Sequence, residues 1–349
     1  MTIKTAVFRC DGGPKIGNGH IMRSFVLAKK LSEENIKCYF LLKKYNLFLK
    51  NYIKTDFKIL FIKRDSYLEI KKKILKLNCD YFIIDNYHFP FILEKKIKQL
   101  TRKIILIEDF PEKKHIADLV IDQNFYRLKK NYVNIQNKKC KFLLGEKYSL
   151  INPNLKKIKK NKKKKKNISN ILLTFGGFDR HKVSLKILKY LKFIKKELNI
   201  TLLVNRKDKY FNEILKYSKR NKLFVNLLTN SSLEDVIHKI DFAIVSGGVT
   251  AKELILFDIP CFIISTSNDQ LNNCKKYKNL KKARYLGHWN KIKKNLFINE
   301  VNNLFNKEKK ILNKKGIKSI GNSIELMAEA EGLQAHKNAV SLRLKSLEE

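Results

Sequence analysis

Apolar residues fall along this chain in short, nearly continuous runs, and the segments between them are Lys-rich with a helical period. "KTAVFR" (4–9), "IKCYFLLK" (36–43), "YFIID" (81–85), "KIILIED" (103–109) and "ADLVID" (117–122) are β-branched and apolar, the last three ending in an acid. Strands buried on both faces of a parallel sheet read as such runs rather than as strict alternation. Residues 21–34 carry Ile21, Phe25, Leu27, Ala28 and Leu31 at helical spacing. Strand, helix and strand thus alternate, and the first half predicts a doubly wound α/β domain.

"NLKKIKKNKKKKKN" (154–167) interrupts the pattern, because it has no face to bury. "ISNILLTFGG" then opens a second series: helix 181–196, strand "ITLLVN", a helix near 208–220, strand "LFVNLL", helix 232–239, strand "DFAIVSGG", helix 249–257 and strand "CFIIS". The expected organisation is α/β, with two Rossmann-like doubly wound domains facing across a cleft. They cover 1–153 and 168–315, joined by a Lys-rich linker at 154–167. Residues 316–349 differ: they are Ala- and Glu-rich and read as amphipathic helix broken at Gly332.

Composition changes this picture little. With 349 residues, 44% of them hydrophobic, there is enough chain for two cored domains. The formal charge of +43 comes with Lys and Asn that are abundant everywhere, and no zinc-finger, RNP or basic-zipper pattern accompanies it. Nucleic-acid binders concentrate charge on one face, so no nucleic-acid partner is expected. A Lys-rich surface still raises the local concentration of anionic substrates. Six scattered cysteines without a C-x-x-C pair read as reduced thiols. "MTIKTAVF" lacks the apolar region of a signal peptide, and no run approaches a membrane span. The expectation is a cytoplasmic protein without integral membrane contact.

Candidate chemistry lies at glycine turns that follow strands. "CDGGPKIGNGHIMRS" (10–24) holds four glycines and His20, a residue able to act as a general base at neutral pH. His20 is expected at the start of the first helix, where the helix N-terminus favours the neutral ring, with Arg23 one turn on near the helix surface. "TFGGFD" holds Gly176 and Gly177, and "VSGGVT" holds Gly247 and Gly248. Glycine lets backbone approach a ligand, and the following helix N-terminus offers N–H groups to a phosphate. Each pair alone is equally a plain turn; two in one domain point to a diphosphate. Glu253, expected on the first helical turn after Gly248, is placed to accept bonds from a ribose diol or to face solvent. The other histidines have no metal-ligand spacing, and no D-x-D pair is placed to hold a metal, so neither metal nor cofactor is expected.

Taken in order, "RCDGGPKIGNGHIMRSFVLAKKL", "DNYHF", "ILIEDFPEKKHIADLVIDQN", "FLLGEKYSLINPNL", "LLTFGGFD" and "SGGVTAKELILFDIPCFIIS…NDQ" resemble the UDP-2,4-diacetamido-2,4,6-trideoxy-β-L-altropyranose hydrolase family (PseG type) of pseudaminic acid biosynthesis. The resemblance spans about residues 3–315 and implies a GT-B-like fold akin to MurG glycosyltransferases. It also implies hydrolysis of a UDP-sugar by water with inversion at the anomeric carbon. It puts His20 on the catalytic histidine, with Tyr87 and Asn268 also catalytic. It puts Gly176, Gly177, Gly247, Gly248, Thr250 and Glu253 on UDP, and Gly19, Arg23, Asp269 and Gln270 toward the sugar. Where the family reads Asn-Gln after the last strand, this chain reads Asp269-Gln270, with Asn268 one place earlier. An inverting glycosyltransferase and a non-catalytic nucleotide-sugar-binding module are the other readings. The tail "SIELMAEAEGLQAHKNAVSLRLKSLEE" resembles the end of histidinol dehydrogenases and is too short to carry that enzyme's site.

Overall fold

The structure, a computed structural model, describes residues 3–13, 17–43, 56–124, 126–152, 155, 168–176, 179–206, 208–229, 231–277 and 283–313. They fall into two compact units, one within Met1–Leu150 and one within Ile151–Ser323. Of the Lys-rich segment only Leu155 is described, and the tail 316–349 lies outside the described residues.

The first unit is a seven-stranded, all-parallel sheet. Its strands are β1 (Thr5–Cys10), β2 (Lys37–Leu42), β3 (Lys58–Phe61), β4 (Tyr81–Asp85), β5 (Lys103–Ile107), β6 (Leu119–Asp122) and β7 (Lys141–Leu144), in the order β3-β2-β1-β4-β5-β6-β7. Helices α1 (Gly19–Glu33), α2 (Tyr67–Lys76) and α3 (Phe91–Lys98) are the long crossovers that parallel neighbours require. The runs are apolar throughout because both sheet faces are covered. Ala6, Phe8, Tyr81, Ile83, Ile105 and Ile107 enter one core with α1 residues, while Val7, Phe82, Ile84, Ile104 and Leu106 enter the other with Ile70, Ile74, Leu93 and Ile97.

The second unit repeats the plan with six parallel strands in the order β10-β9-β8-β11-β12-β13. These are β8 (Asn170–Thr174), β9 (Asn199–Leu203), β10 (Val225–Leu228), β11 (Phe242–Ser246), β12 (Cys261–Ser265) and β13 (Ala283–His288). Its helices are α4 (Val183–Leu191), α5 (Phe211–Arg220), α6 (Val249–Leu256), α7 (Leu271–Tyr277) and α8 (Lys294–Asn313). Two Rossmann-like doubly wound α/β units are therefore present, as the apolar runs predict. Among the described residues no helix is long and apolar enough to cross a membrane.

One expected element differs. The helix anticipated over 232–239 is instead a set of turns ending in the 3-10 turn Ile237–Lys239. Asp235 accepts from the backbone N–H of Ser232 (2.7 Å) and from its hydroxyl (3.1 Å), which closes the stretch locally. So short a helix is marginal by itself. One compact turn already delivers Val236, Ile237 and Ile240 to buried positions.

Candidate active site

In the first unit the site is built at the carboxyl ends of β1 and β4. Gly13 and Gly17 exchange two backbone hydrogen bonds (3.0 and 2.7 Å), pinching the loop that leaves β1. Both sit at positive φ (139° and 77°), where a side chain is strained. Gly19, exposed, then opens α1. The first turn carries His20, and Arg23 follows one turn later. Arg23 is not near the surface as expected; it is 6% exposed, because it turns inward to two carboxylates.

The sheet supplies those carboxylates from strand ends. Asp85, the last residue of β4, is 1% exposed. Its Oδ1 meets His20 Nδ1 at 2.5 Å and accepts from Arg23 Nη2 at 2.6 Å. Its Oδ2 accepts from Arg23 Nε at 2.8 Å and from the Ser24 hydroxyl at 3.1 Å. Asp109, just past β5, accepts from Arg23 Nη1 at 2.6 Å, from the Tyr87 hydroxyl and from Asn124 Nδ2 at 2.9 Å. The Tyr87 ring packs edge-on against His20, with centroids 4.3 Å apart at 77°. Asn86 donates to Asp11, and the fully buried Arg9 spans Asp11 and Asp65, which ties the ends of β1 and β4 together.

Charge fixes the protonation of this cluster. Burial by itself would raise Asp85, but Arg23 and then His20 outweigh it and hold the carboxyl below its usual range. Asp109 is held well below its usual range in the same way, burial being overcome by Arg23 and by the Tyr87 hydroxyl. Tyr87 is driven far upward by burial and the adjacent Asp109, so it stays a protonated donor. An ionised Asp85 can only accept. The neutral imidazole must therefore carry its proton on Nδ1, which leaves Nε2 as the acceptor. A buried Asp thus orients a histidine whose other nitrogen is free to take a proton, the arrangement of an activated general base.

In the second unit the glycine turns are not equivalent. Helix α4, after the Gly176 turn, is already capped: buried Asp179 accepts from the N–H groups of Val183 (2.9 Å) and Ser184 (2.6 Å). Helix α6 is open. Its N-cap is Gly248, with no side-chain cap bond and no acid in the first turn. Gly247 is packed so closely that a Cβ there would lie 2.2 Å from Cys274 Sγ. Gln270 Oε1 accepts from Gly247 N (3.2 Å) and Thr266 N (3.0 Å), tying this turn to the end of β12. Gln270 thus acts here as a brace. Thr250 is half-buried at the start of α6, Asn268 is exposed, and Gly176 has φ of 88°. Gly177 and the Asp269 side chain lie outside the described residues.

Glu253 is the fifth residue of α6, on the second turn rather than the first as expected, and it is 8% exposed. Its Oε1 accepts from Asn152 N at 3.4 Å, while Asn152 Nδ2 donates to Glu234. Burial pushes the Glu253 carboxyl up to about 7; Asn152 opposes the shift and the nearby Glu234 charge adds to it.

The sequence reading missed Asp109 and Asn124, and it gave Asp85 no role in the chemistry. The signal available was that the strands "YFIID", "KIILIED" and "ADLVID" each end in an acid.

No protein-family model matches the chain. It is 28% identical over 301 residues to an uncharacterised protein of Methanocaldococcus jannaschii, covering 82% of this chain and 60% of that one. The chain thus spans about three fifths of that relative's length. It is 25% identical over 263 residues to the UDP-2,4-diacetamido-2,4,6-trideoxy-β-L-altropyranose hydrolase of Campylobacter jejuni (74% of this chain, 91% of the relative). It is 24% identical over 287 residues to the spore coat polysaccharide biosynthesis protein SpsG of Bacillus subtilis (79% and 82%). Among solved structures, MurG of Acinetobacter baumannii aligns with a TM-score of 0.61 at 12% identity, covering 86% of this chain and 90% of its own. A glycosyltransferase of Rickettsia africae aligns with a TM-score of 0.61 at 13% identity, covering 99% of each chain. These structures agree with the two-unit α/β fold of the glycosyltransferase B class.

Proposed function

We propose that this chain, a relative of the UDP-2,4-diacetamido-2,4,6-trideoxy-β-L-altropyranose hydrolase of Campylobacter jejuni, hydrolyses a UDP-linked 2,4-diacetamido-2,4,6-trideoxyhexose. The products are UDP and the free sugar, inverted at the anomeric carbon. One observation carries the reading: His20 is held through Nδ1 by a buried, ionised Asp85, which leaves Nε2 as a proton acceptor.

In the proposed reaction a water attacks C1 from the face opposite UDP. The new C1–O bond forms from the water oxygen, the C1–O bond to the β-phosphate breaks with its electron pair leaving on UDP, and the water proton passes to His20 Nε2. Asp85 stabilises the imidazolium so formed. A diphosphate leaves readily, so the second unit's task is to stabilise its charge. The open start of α6, from Gly248 to Thr250, suits that task; by the resemblance Gly176, Gly177 and Gly247 are assigned to UDP with it, and Glu253 to the ribose. By the resemblance, Tyr87 and Asn268 are assigned to catalysis beside His20, and Gly19 and Asp269 to binding the sugar. Arg23 and Gln270 act by holding Asp85, Asp109 and the Gly247 turn.

A His20→Asn variant should lose about 10²–10⁴-fold in kcat, with the Kd for UDP, measured by calorimetry, essentially unchanged. Near-wild-type turnover in that variant would exclude His20 as the base. The likeness in fold to glycosyltransferases favours a second reading, in which His20 takes the proton of an acceptor hydroxyl instead of a water.

A further inference from the structure

Behind Asp109 lies a set of buried ionisable groups that the reaction above does not use. The chain leaves β5 through Glu108, Asp109 and Phe110. Glu108 is 2% exposed, and its Oε1 accepts from the backbone N–H groups of Asp109 (2.8 Å) and Phe110 (2.9 Å). Its Oε2 pairs with His115 Nε2 at 3.2 Å. His115 Nδ1 bonds Glu94 Oε2 at 2.9 Å, and the other oxygen of this fully buried Glu94, on α3, accepts from Ile116 N at 2.5 Å. Burial alone would lower His115, but the two carboxylates overcome it and push the ring up to about 9, so it is a cation at neutral pH.

Groups of this kind are a poor way to gain stability, because desolvation consumes most of the attraction between buried charges. Their geometry shows another use. The His115 cation lies against one Glu108 oxygen as a charge pair rather than a hydrogen bond, and the other oxygen is aimed at two successive N–H groups. That closes the turn and sets the direction of Asp109. Asp109 in turn holds Arg23 Nη1 and the Tyr87 hydroxyl, and both of those residues touch the His20 ring. From the opposite side Arg127 Nη2 donates to the Asp109 carbonyl and Asn124 to its carboxylate, so the turn is braced from two directions.

We propose that Glu108 is a positioning residue for His20: its Oε1 fixes the Asp109–Phe110 turn, so that Asp109 holds Tyr87 and Arg23 and, through them, the imidazole. The catalytic part of this proposal rests on His20 being the base; the positioning part does not. Glu108→Gln keeps the length and the acceptor but loses the charge. Glu108→Met keeps the length but loses both the charge and the acceptor; aspartate would not serve, since its shorter carboxylate can still accept from the N–H two residues on.

Two readouts on the full chain separate the roles: the titration of the His20 imidazole by NMR with labelled histidine, assigned through His20→Asn, and the kcat and KM for UDP release from the UDP-sugar. In Glu108→Met we expect the His20 midpoint to move by about half a pH unit or more and kcat to fall about tenfold with KM little changed. In Glu108→Gln both should stay close to wild type. Gln impaired as much as Met would overturn the proposal in favour of a charge effect. Lower melting in both variants, with the His20 titration and kcat unmoved, would overturn it in favour of a purely structural role. A His20 titration that separates the variants, in a wild-type protein that releases no UDP, would uphold the positioning role while rejecting the proposed function.

Discussion

At the scale of the residue, the first unit's cluster is two buried acids sharing one arginine, with a histidine bonded to one of them. Asp85 is the residue on which His20 depends, and replacing it tests orientation separately from basicity. Asp85→Asn keeps the shape, but its amide presents either a donor to Nδ1 or a weaker acceptor. Nδ1 then no longer has to carry the proton, and kcat should fall by about 10–100-fold or more while UDP binding holds. Unchanged turnover by single-turnover kinetics would show that Asp85 does not set the tautomer.

Glu253 gives a pH prediction of defined sign. Its carboxyl is raised from 4.5 to about 7 on folding, so the folded state binds the extra proton. The stability this provides is complete below pH 4.5 and is lost as pH rises through 7. The loss amounts to about 3 kcal/mol. The stability of wild type relative to Glu253→Gln, from urea melts, should therefore fall by about that much between pH 4.5 and 8. A gap that does not change with pH would contradict the buried, proton-binding Glu253. Asp85 and Asp109 have the opposite sign: their contribution is present above the ordinary carboxylate range and is lost in acid.

The inward turn of Arg23 is what the sequence conveyed least. Its partners Asp85 and Asp109 lie 62 and 86 residues away, and an arginine one turn into an amphipathic helix carries no local mark of burial. His20 was singled out through the resemblance carried by "GNGHIMR"; by itself a histidine at a strand-to-helix turn reads as readily as a capping or packed residue.

At the scale of the element, the central strands of both sheets were legible, and so was the edge strand β10, as "LFVNLL"; the other edges were not. β1, β4, β5, β6, β8, β11 and β12 are buried on both faces and announce themselves as apolar runs. β3, β7 and β13 are edge strands whose residues are mostly half-buried or exposed, so their composition is not distinctive. β13 also meets β12 with a register shift and contains Gly287 at positive φ, which removes any simple period. Capping was equally invisible. Both second-unit glycine turns read as phosphate seats, and only the contact of Asp179 with the first N–H groups of α4 shows that one helix start is occupied.

The open turn can be tested with two neighbouring glycines. At Gly247 an added Cβ would lie 2.2 Å from Cys274 Sγ, whereas at Gly248 its nearest neighbour is Ser246 Oγ at 3.8 Å. Gly247→Ala should cost roughly 1–3 kcal/mol of stability through overpacking. Gly248→Ala should fold normally, its φ of −88° being ordinary, yet bind UDP more weakly in calorimetry because the added methyl group would sit at the helix start proposed to hold the phosphates. A Gly248→Ala protein that binds UDP like wild type would remove the phosphates from α6.

At the scale of the whole molecule, one plan is used twice with different content. In each sheet the strand order reverses direction next to the first strand, between β1 and β4 and again between β8 and β11. Ligands of doubly wound sheets gather at such points, outside the carboxyl ends of the strands. The first unit places His20 and Asp85 there; the second places Gly176, Gly247 and Gly248. The resemblance read from the ordered motifs agrees with the 25% identity to the Campylobacter jejuni hydrolase, and the doubly wound architecture agrees with the glycosyltransferase folds. The charge of +43, the most conspicuous feature of the composition, conveyed nothing about this division, because Lys is abundant in both units alike.

The central claim is that the proton His20 accepts comes from water. The direct measurement is an NMR time course of the protein with the UDP-linked diacetamido-trideoxyhexose and no acceptor. UDP and the free sugar should appear together, the sugar first as the anomer opposite to that of the substrate. No release until an acceptor is added, or first appearance of the retained anomer, would contradict it.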